Sequence, residues 1–94
     1  MKNLLTNHAR VRMNARGISK YAVELAISIC RPMYSKGAEF YFIGKKLVKK
    51  FIDVIPDIEK YEGVVVIINS KGNSVILTTY KNKNFTKKFR GYHV

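Results

Sequence analysis

His8, Arg12 and Arg16 recur at intervals of four residues in the run N-H-A-R-V-R-M-N-A-R. Four residues carry a helix about 40° past a full turn, so in a helix the three side chains share one flank. An imidazole titrates near neutral pH and serves as proton acceptor or donor. A guanidinium presents a planar fork that matches two phosphate oxygens. Such a trio suits holding and cleaving an RNA phosphodiester without a metal. That chemistry needs a base for the 2′-hydroxyl proton, an acid for the leaving oxygen, and cations around the charge gathering on phosphorus. A plainer role competes with it, in which the arginines clamp chain ends and His8 caps its own helix.

A second group is Thr78-Thr79-Tyr80. Strand alternation sends Thr78 and Tyr80 to one face and Thr79 to the other. A threonine hydroxyl can donate to phosphate and a tyrosine ring can stack on a base. Both residue types are equally at home as ordinary strand formers. Cys30 is the single cysteine and reads as a small core residue at an apolar helix end.

The chain that must position these groups has 94 residues, enough for one domain spanning 1–94. It is 47% hydrophobic, which permits a packed core and excludes a disordered tail. Eighteen Lys and Arg against six Asp and Glu give a net charge of +12, which points to a polyanionic partner, either nucleic acid or an acidic protein. The excess lies at the two ends. Residues 38–80 hold nearly balanced charge, whereas Lys81, Lys83, Lys87, Lys88 and Arg90 follow with no acid among them. Phe85, Phe89 and Tyr92 alternate with those cations, either to stack on unpaired bases or to form the core side of a last strand.

One cysteine allows no internal disulfide and fits a reducing cytoplasm. Two histidines and that cysteine cannot close a zinc site, so no metal is expected. No phosphate-binding glycine loop, dinucleotide fingerprint or paired carboxylate motif is present, and no cofactor is expected. The longest apolar run, Val64 to Ile68, is too short to span a bilayer, and the opening residues do not read as a secretory signal.

The elements follow from caps and periodicity. Thr6 or Asn7 is a helix N-cap and Gly17 a stop, with a short helix over His8–Arg16 between them. Val11 and Ala15 adjoin the cationic flank and are expected to bury against a sheet, leaving His8 at the boundary of core and solvent. Ser19 caps a second helix whose Ala22, Leu25, Ala26 and Ile29 make one apolar stripe, ended by Arg31-Pro32. Glu39–Ile43 reads as a strand. Residues 45–55 have a helical period in Leu47, Val48, Phe51, Ile52 and Ile55 but are ambiguous, and residues 57–62 suit one further turn. Lys45, Lys46, Lys49 and Lys50 are expected to face solvent, partly offset by neighbouring acids. Gly63–Asn69 is β-branched and reads as a strand buried on both faces. Lys71-Gly72-Asn73 is a turn before a returning strand over Ser74–Tyr80, and Lys81–Val94 could add an edge strand. Two helices followed by an antiparallel sheet make a two-layer α+β fold.

The run T-N-H-A-R-V-R-M-N-A-R-G-I-S (Thr6–Ser19) resembles the opening of a small prokaryotic family called domain of unknown function 4258, T-x-H-A-x-x-R-M-x-x-R-G-I-S. G-V-V-V-I-I-N-S-K-G-N-S-V-I-L-T-T-Y-K-N (Gly63–Asn82) is similar to that family's closing hairpin, which commonly ends I-T-V-Y. The resemblance covers most of the chain except residues 45–62. That family is related to the RelE/ParE and BrnT toxins, in the barnase, EndoU, colicin and RelE grouping of RNases. It implies an N-terminal helical hairpin packed on a twisted antiparallel sheet, with nucleic acid on the sheet face. His8, Arg12 and Arg16 match the family's H-A-x-x-R-M-x-x-R positions. Thr78 or Thr79 with Tyr80 matches its T-x-Y, whose spacing favours Thr78.

The resulting expectation is a metal-independent endoribonuclease of RelE-like toxin type, acting by 2′-hydroxyl attack. His8 would be the base or acid, Arg12 and Arg16 the phosphate holders, and Thr78 and Tyr80 the substrate orienters. Lys81, Lys83, Lys87, Lys88 and Arg90 would grip flanking phosphates, and an acidic antitoxin would cover the basic face. The alternatives are a non-catalytic RNA-binding or regulatory module and a ParE-like toxin with a protein target.

Overall fold

Each N-terminal helix begins where a hydroxyl turns back onto its first turn. The computed structural model describes residues 4–69 and 75–83. A two-residue strand β1 (Leu4–Leu5) leads into α1 (Asn7–Arg16), whose N-cap Thr6 accepts from Ala9 N at 3.0 Å. The helix closes with a Schellman arrangement: Gly17 N donates to Asn14 O, and Ile18 N donates to Met13 O at 2.9 Å. Ser19 then caps α2 (Lys20–Ile29) by accepting from Ala22 N at 3.1 Å. Both helices and both caps agree with the sequence pattern.

After Pro32 the chain forms a hairpin of β2 (Met33–Ser35) and β3 (Ala38–Phe42), the first of which the sequence pattern did not reveal. Its two-residue loop has Lys36 at φ 50° and Gly37 at φ 77°. Positive φ at both positions is what a type I′ turn demands, and glycine adopts it without strain. The ambiguous segment resolves as α3 (Lys45–Phe51), followed by a single 3₁₀ turn over Ile58–Tyr61. The strands β4 (Val64–Asn69) and β5 (Val75–Lys81) complete the sheet. The turn expected at Lys71-Gly72-Asn73 lies outside the described residues; of the edge strand considered over Lys81–Val94, Lys81 ends β5 and all beyond Lys83 lies outside them.

The sheet order is β1-β5-β4-β3-β2, antiparallel throughout except that β1 runs parallel to β5. The protein is therefore an α+β fold with its first two helices N-terminal to an antiparallel sheet. No described helix is long and apolar enough to cross a membrane.

Register sorts β4 onto two faces. Val64, Val66 and Ile68 point at the helices and join Ala9, Met13, Ala22, Val23, Ala26 and Ile43 in the main core. Val65 points the other way and is fully enclosed, with Met33, Phe40, Phe42, Ile67 and Tyr80 packed against it. This confirms a strand buried on both faces.

Between Ile67 and Ile68 the pairing with β5 slips: Ile67 faces Thr78, but Ile68 faces Ile76. Leu77 is thus an extra residue, a bulge. It parts Ile76 on the helix side from Thr78 on the outer side.

One packing expectation is corrected. Val11 is 64% exposed and Ala15 is exposed, while Ala9 and Met13 are the buried residues of α1. The apolar stripe is only two residues long because α1 leans on β5, beside the short outer strand β1, rather than lying across the middle of the sheet. His8 is exposed and does not sit at the core boundary.

Thr79 faces the helices with no exposure, and its Oγ1 has no hydrogen-bond partner among the described residues. A buried hydroxyl in that state costs about 1–3 kcal/mol of desolvation. Thr79→Val keeps the shape and removes the hydroxyl, so it should raise unfolding stability by about 1 kcal/mol. Urea denaturation checks this: the midpoint should rise with an unchanged slope, and a lower midpoint would show that the hydroxyl is satisfied.

Candidate nucleic-acid interface

α1 is fastened to β5 at both ends. At its start Thr6 N donates to Ile76 O at 3.2 Å, and the Thr6 hydroxyl donates to Leu77 O at 3.3 Å. At its end Arg16 Nη1 donates to Thr79 O at 3.1 Å. The same guanidinium stands over the Tyr80 ring, with Cζ 5.9 Å from the ring centroid. Arg16 therefore ties the helix to the strand edge while its charge remains beside an aromatic face. Arg16, Tyr80 and Lys81 line an open recess there.

His8, Arg12 and Arg16 do share one flank, but the flank winds. At 100° per residue the three spread over about 80°, with Arg16 nearest the buried Ala9–Met13 stripe and His8 furthest from it. They also spread over about 12 Å along the axis. Arg16 consequently meets the sheet, whereas Arg12 and His8 stand out in solvent. The structure brings Arg16 and Tyr80 together and leaves His8 outside their recess.

Thr78 and Tyr80 both lie on the outer face, as alternation requires, and Thr79 lies inside. Tyr80 shares a cross-strand row with Val65 and Phe42, and Thr78 shares the next with Ile67 and Phe40. Of the expected phosphate-gripping cations, Lys81 is turned to the helix side by its pairing with Val64, and its Nζ donates to Lys60 O at 3.4 Å. Lys83 lines a cavity beside α3. The two do not form one continuous track. Lys87, Lys88 and Arg90, with Phe85, Phe89 and Tyr92, lie outside the described residues.

Lys45 and Lys46 are exposed but not merely solvated. They line the same cavity as Lys83 and Arg31, and no carboxylate is among its lining residues. Sequence reasoning missed this cluster, because its members come from three separate stretches of chain. Cys30 also lines that cavity. Its Sγ donates to Phe42 O at 3.2 Å, and burial pushes the thiol pKa up to about 12, so it is neutral at physiological pH and is not an activated nucleophile.

The two arginines are separable by experiment. Arg16→Gln should lower stability by about 1 kcal/mol, since it loses a charge-assisted bond to a strand carbonyl. Arg12→Gln should leave stability within about 0.5 kcal/mol, as expected for an exposed surface residue. Thermal unfolding of both variants reads this directly; equal losses would mean that Arg16 is not a structural strap.

No protein-family model, curated protein or solved structure matches this chain.

Proposed function

We propose that the protein is an RNA-binding module of RelE-like toxin type, acting in the cytoplasm and meeting the phosphate backbone along the edge where α1 lies on β5. One observation carries this reading: the Arg16 guanidinium stands over the Tyr80 ring with Arg12 exposed one turn earlier on the same flank, and neither α1 nor β5 holds an acid. The carboxylates are elsewhere. Asp53, Asp57, Glu59 and Glu62 cluster between α3 and β4, Glu24 is on α2, and Glu39 accepts from the Tyr41 hydroxyl at 2.8 Å. A backbone of phosphates gains from such one-sided charge by releasing its counterions, and an aromatic ring beside it adds stacking. Two helices followed by an antiparallel sheet is also the order implied by the resemblance to the RelE-related family. An acidic antitoxin would be drawn to the same edge.

Metal-independent endoribonuclease action is the second reading, favoured by His8 and Arg12 standing one turn apart and both open to solvent. A phosphate bridging them would place His8 to accept the 2′-hydroxyl proton. The 2′-oxygen would then bond to phosphorus and the bond to the 5′-oxygen would break, that oxygen taking a proton from an acid. Binding ranks first because Arg16 is already committed to a chain carbonyl and no second histidine lies beside His8 among the described residues.

A filter-binding titration of labelled single-stranded RNA in EDTA, at several salt concentrations, tests both. The wild type should bind with steep salt dependence. Arg12→Ala should flatten the log–log slope by about 0.7, the contribution of one phosphate contact on a single strand. Intact RNA after long incubation supports the binding module; cleavage abolished by His8→Ala and Arg12→Ala supports the nuclease. RNA that does not bind at low salt sinks both.

A further inference from the structure

Away from α1, on the far side of β4, the end of α2 and the start of α3 frame a cavity of about 410 Å³. That volume lies within the range of small-molecule sites. Its walls divide by chemistry. Arg31, Lys45, Lys46 and Lys83 supply four cations, with no carboxylate among the lining residues. Met33, Phe42 and Leu47 supply an apolar wall. The two sets converge through the fold: Arg31 follows the end of the helical hairpin, Phe42 ends β3, and Lys45 and Lys46 open α3 after a gap of two residues. Lys83 arrives from beyond β5, where its Cγ would lie 3.1 Å from a Cβ added at Gly63.

Gly44 shapes the junction between the two walls. A Cβ at this position would lie 2.8 Å from Cε2 of the Phe42 ring, a distance that no side chain tolerates. The absent side chain lets the ring come close to the backbone just before the two lysines. The cavity therefore places an aromatic surface directly beside a group of cations. A neutral Cys30 thiol in the wall adds no opposing charge.

We propose that this cavity binds a nucleotide, its phosphates held among Arg31, Lys45, Lys46 and Lys83 and its base against Phe42, Met33 and Leu47. Four cations in one cavity match a polyphosphate or a phosphate with its neighbour in a strand, and arginine adds a two-pronged contact. The apolar wall gives the base a place that a bare anion would leave empty. The nucleotide is either free or a unit of an RNA strand; both present this chemistry. The inference stands on the cavity alone and does not depend on RNA binding at α1.

Isothermal titration of the full chain with ATP, with tripolyphosphate and with a short single-stranded RNA oligonucleotide tests it. ATP should bind at least tenfold more tightly than tripolyphosphate, which carries similar charge and no base. Lys45→Gln with Lys46→Gln should weaken ATP binding at least tenfold. Lys49→Gln with Lys50→Gln removes the same charge from exposed positions of the same helix and should change binding less than twofold. Competition between the oligonucleotide and ATP would identify a strand unit as the occupant, and ATP binding without competition would identify the free nucleotide. Equal weakening by the two lysine pairs, or tripolyphosphate binding as tightly as ATP, would overturn the proposal. So would a wild type that binds neither ATP nor the oligonucleotide.

Discussion

Beyond Ile76 the outer edge of β5 has no neighbouring strand among the described residues, so its outward carbonyls must find donors elsewhere. α1 supplies them. Thr6 meets two successive carbonyls with its backbone N–H and its hydroxyl, and Arg16 meets a third at the other end of the helix. This arrangement needs the helix close to the strand, which the small, fully buried Ala9 permits. It also explains why so basic a helix is stable where it lies. One of its cations is held by the strand's own partial negative charge, and the others are left to face water.

The same constraint separates the molecule into unlike surfaces. Helices cover one side of the sheet, where Val64, Val66 and Ile68 are sealed into the main core. The other side carries the rows Phe42–Val65–Tyr80 and Phe40–Ile67–Thr78, with an enclosed valine at the centre. Positive charge gathers at opposite borders of this second side, Arg16 beside Tyr80 and the Arg31–Lys45–Lys46–Lys83 group beside Phe42. Two aromatic residues of one cross-strand row thus each adjoin a separate set of cations.

Local physics makes much of the fold legible in the sequence alone. Thr6, Ser19, Gly17 and Pro32 act through the backbone of their immediate neighbours, so the ends of α1 and α2 could be read from them. The β-branched run Val64–Ile68 likewise declared a strand with two covered faces. What escaped depended on distant partners. β2 is three residues long and exists because β3 returns beside it, and β1 is two residues held by β5. The burial of Ala9 and Met13 rather than Val11 and Ala15 follows from α1 resting on an edge, which helical spacing alone does not specify. At the candidate interface the spacing correctly put His8, Arg12 and Arg16 on one flank. It gave no sign that Arg16 would find a carbonyl 63 positions later in the chain. The cation-lined cavity was hidden for the same reason, its residues lying as far apart as Arg31 and Lys83.

The supernumerary Leu77 has a consequence for how this strand tolerates change. Up to Ile76 the alternation of β5 obeys one phase, and from Thr78 onward it obeys the opposite one. Setting Leu77 aside in the bulge is what keeps both halves in place: a regular strand running through it would turn the downstream half over like a page, carrying the phenol of Tyr80 beneath the helices and the Thr79 methyl to the outside. Which surface of the protein carries an aromatic ring beside Arg16 is therefore decided by how one extra residue is accommodated. Deleting Leu77 would bring Thr78 directly after Ile76 and leave both faces as they are, whereas a flattened bulge would reverse every side chain beyond it.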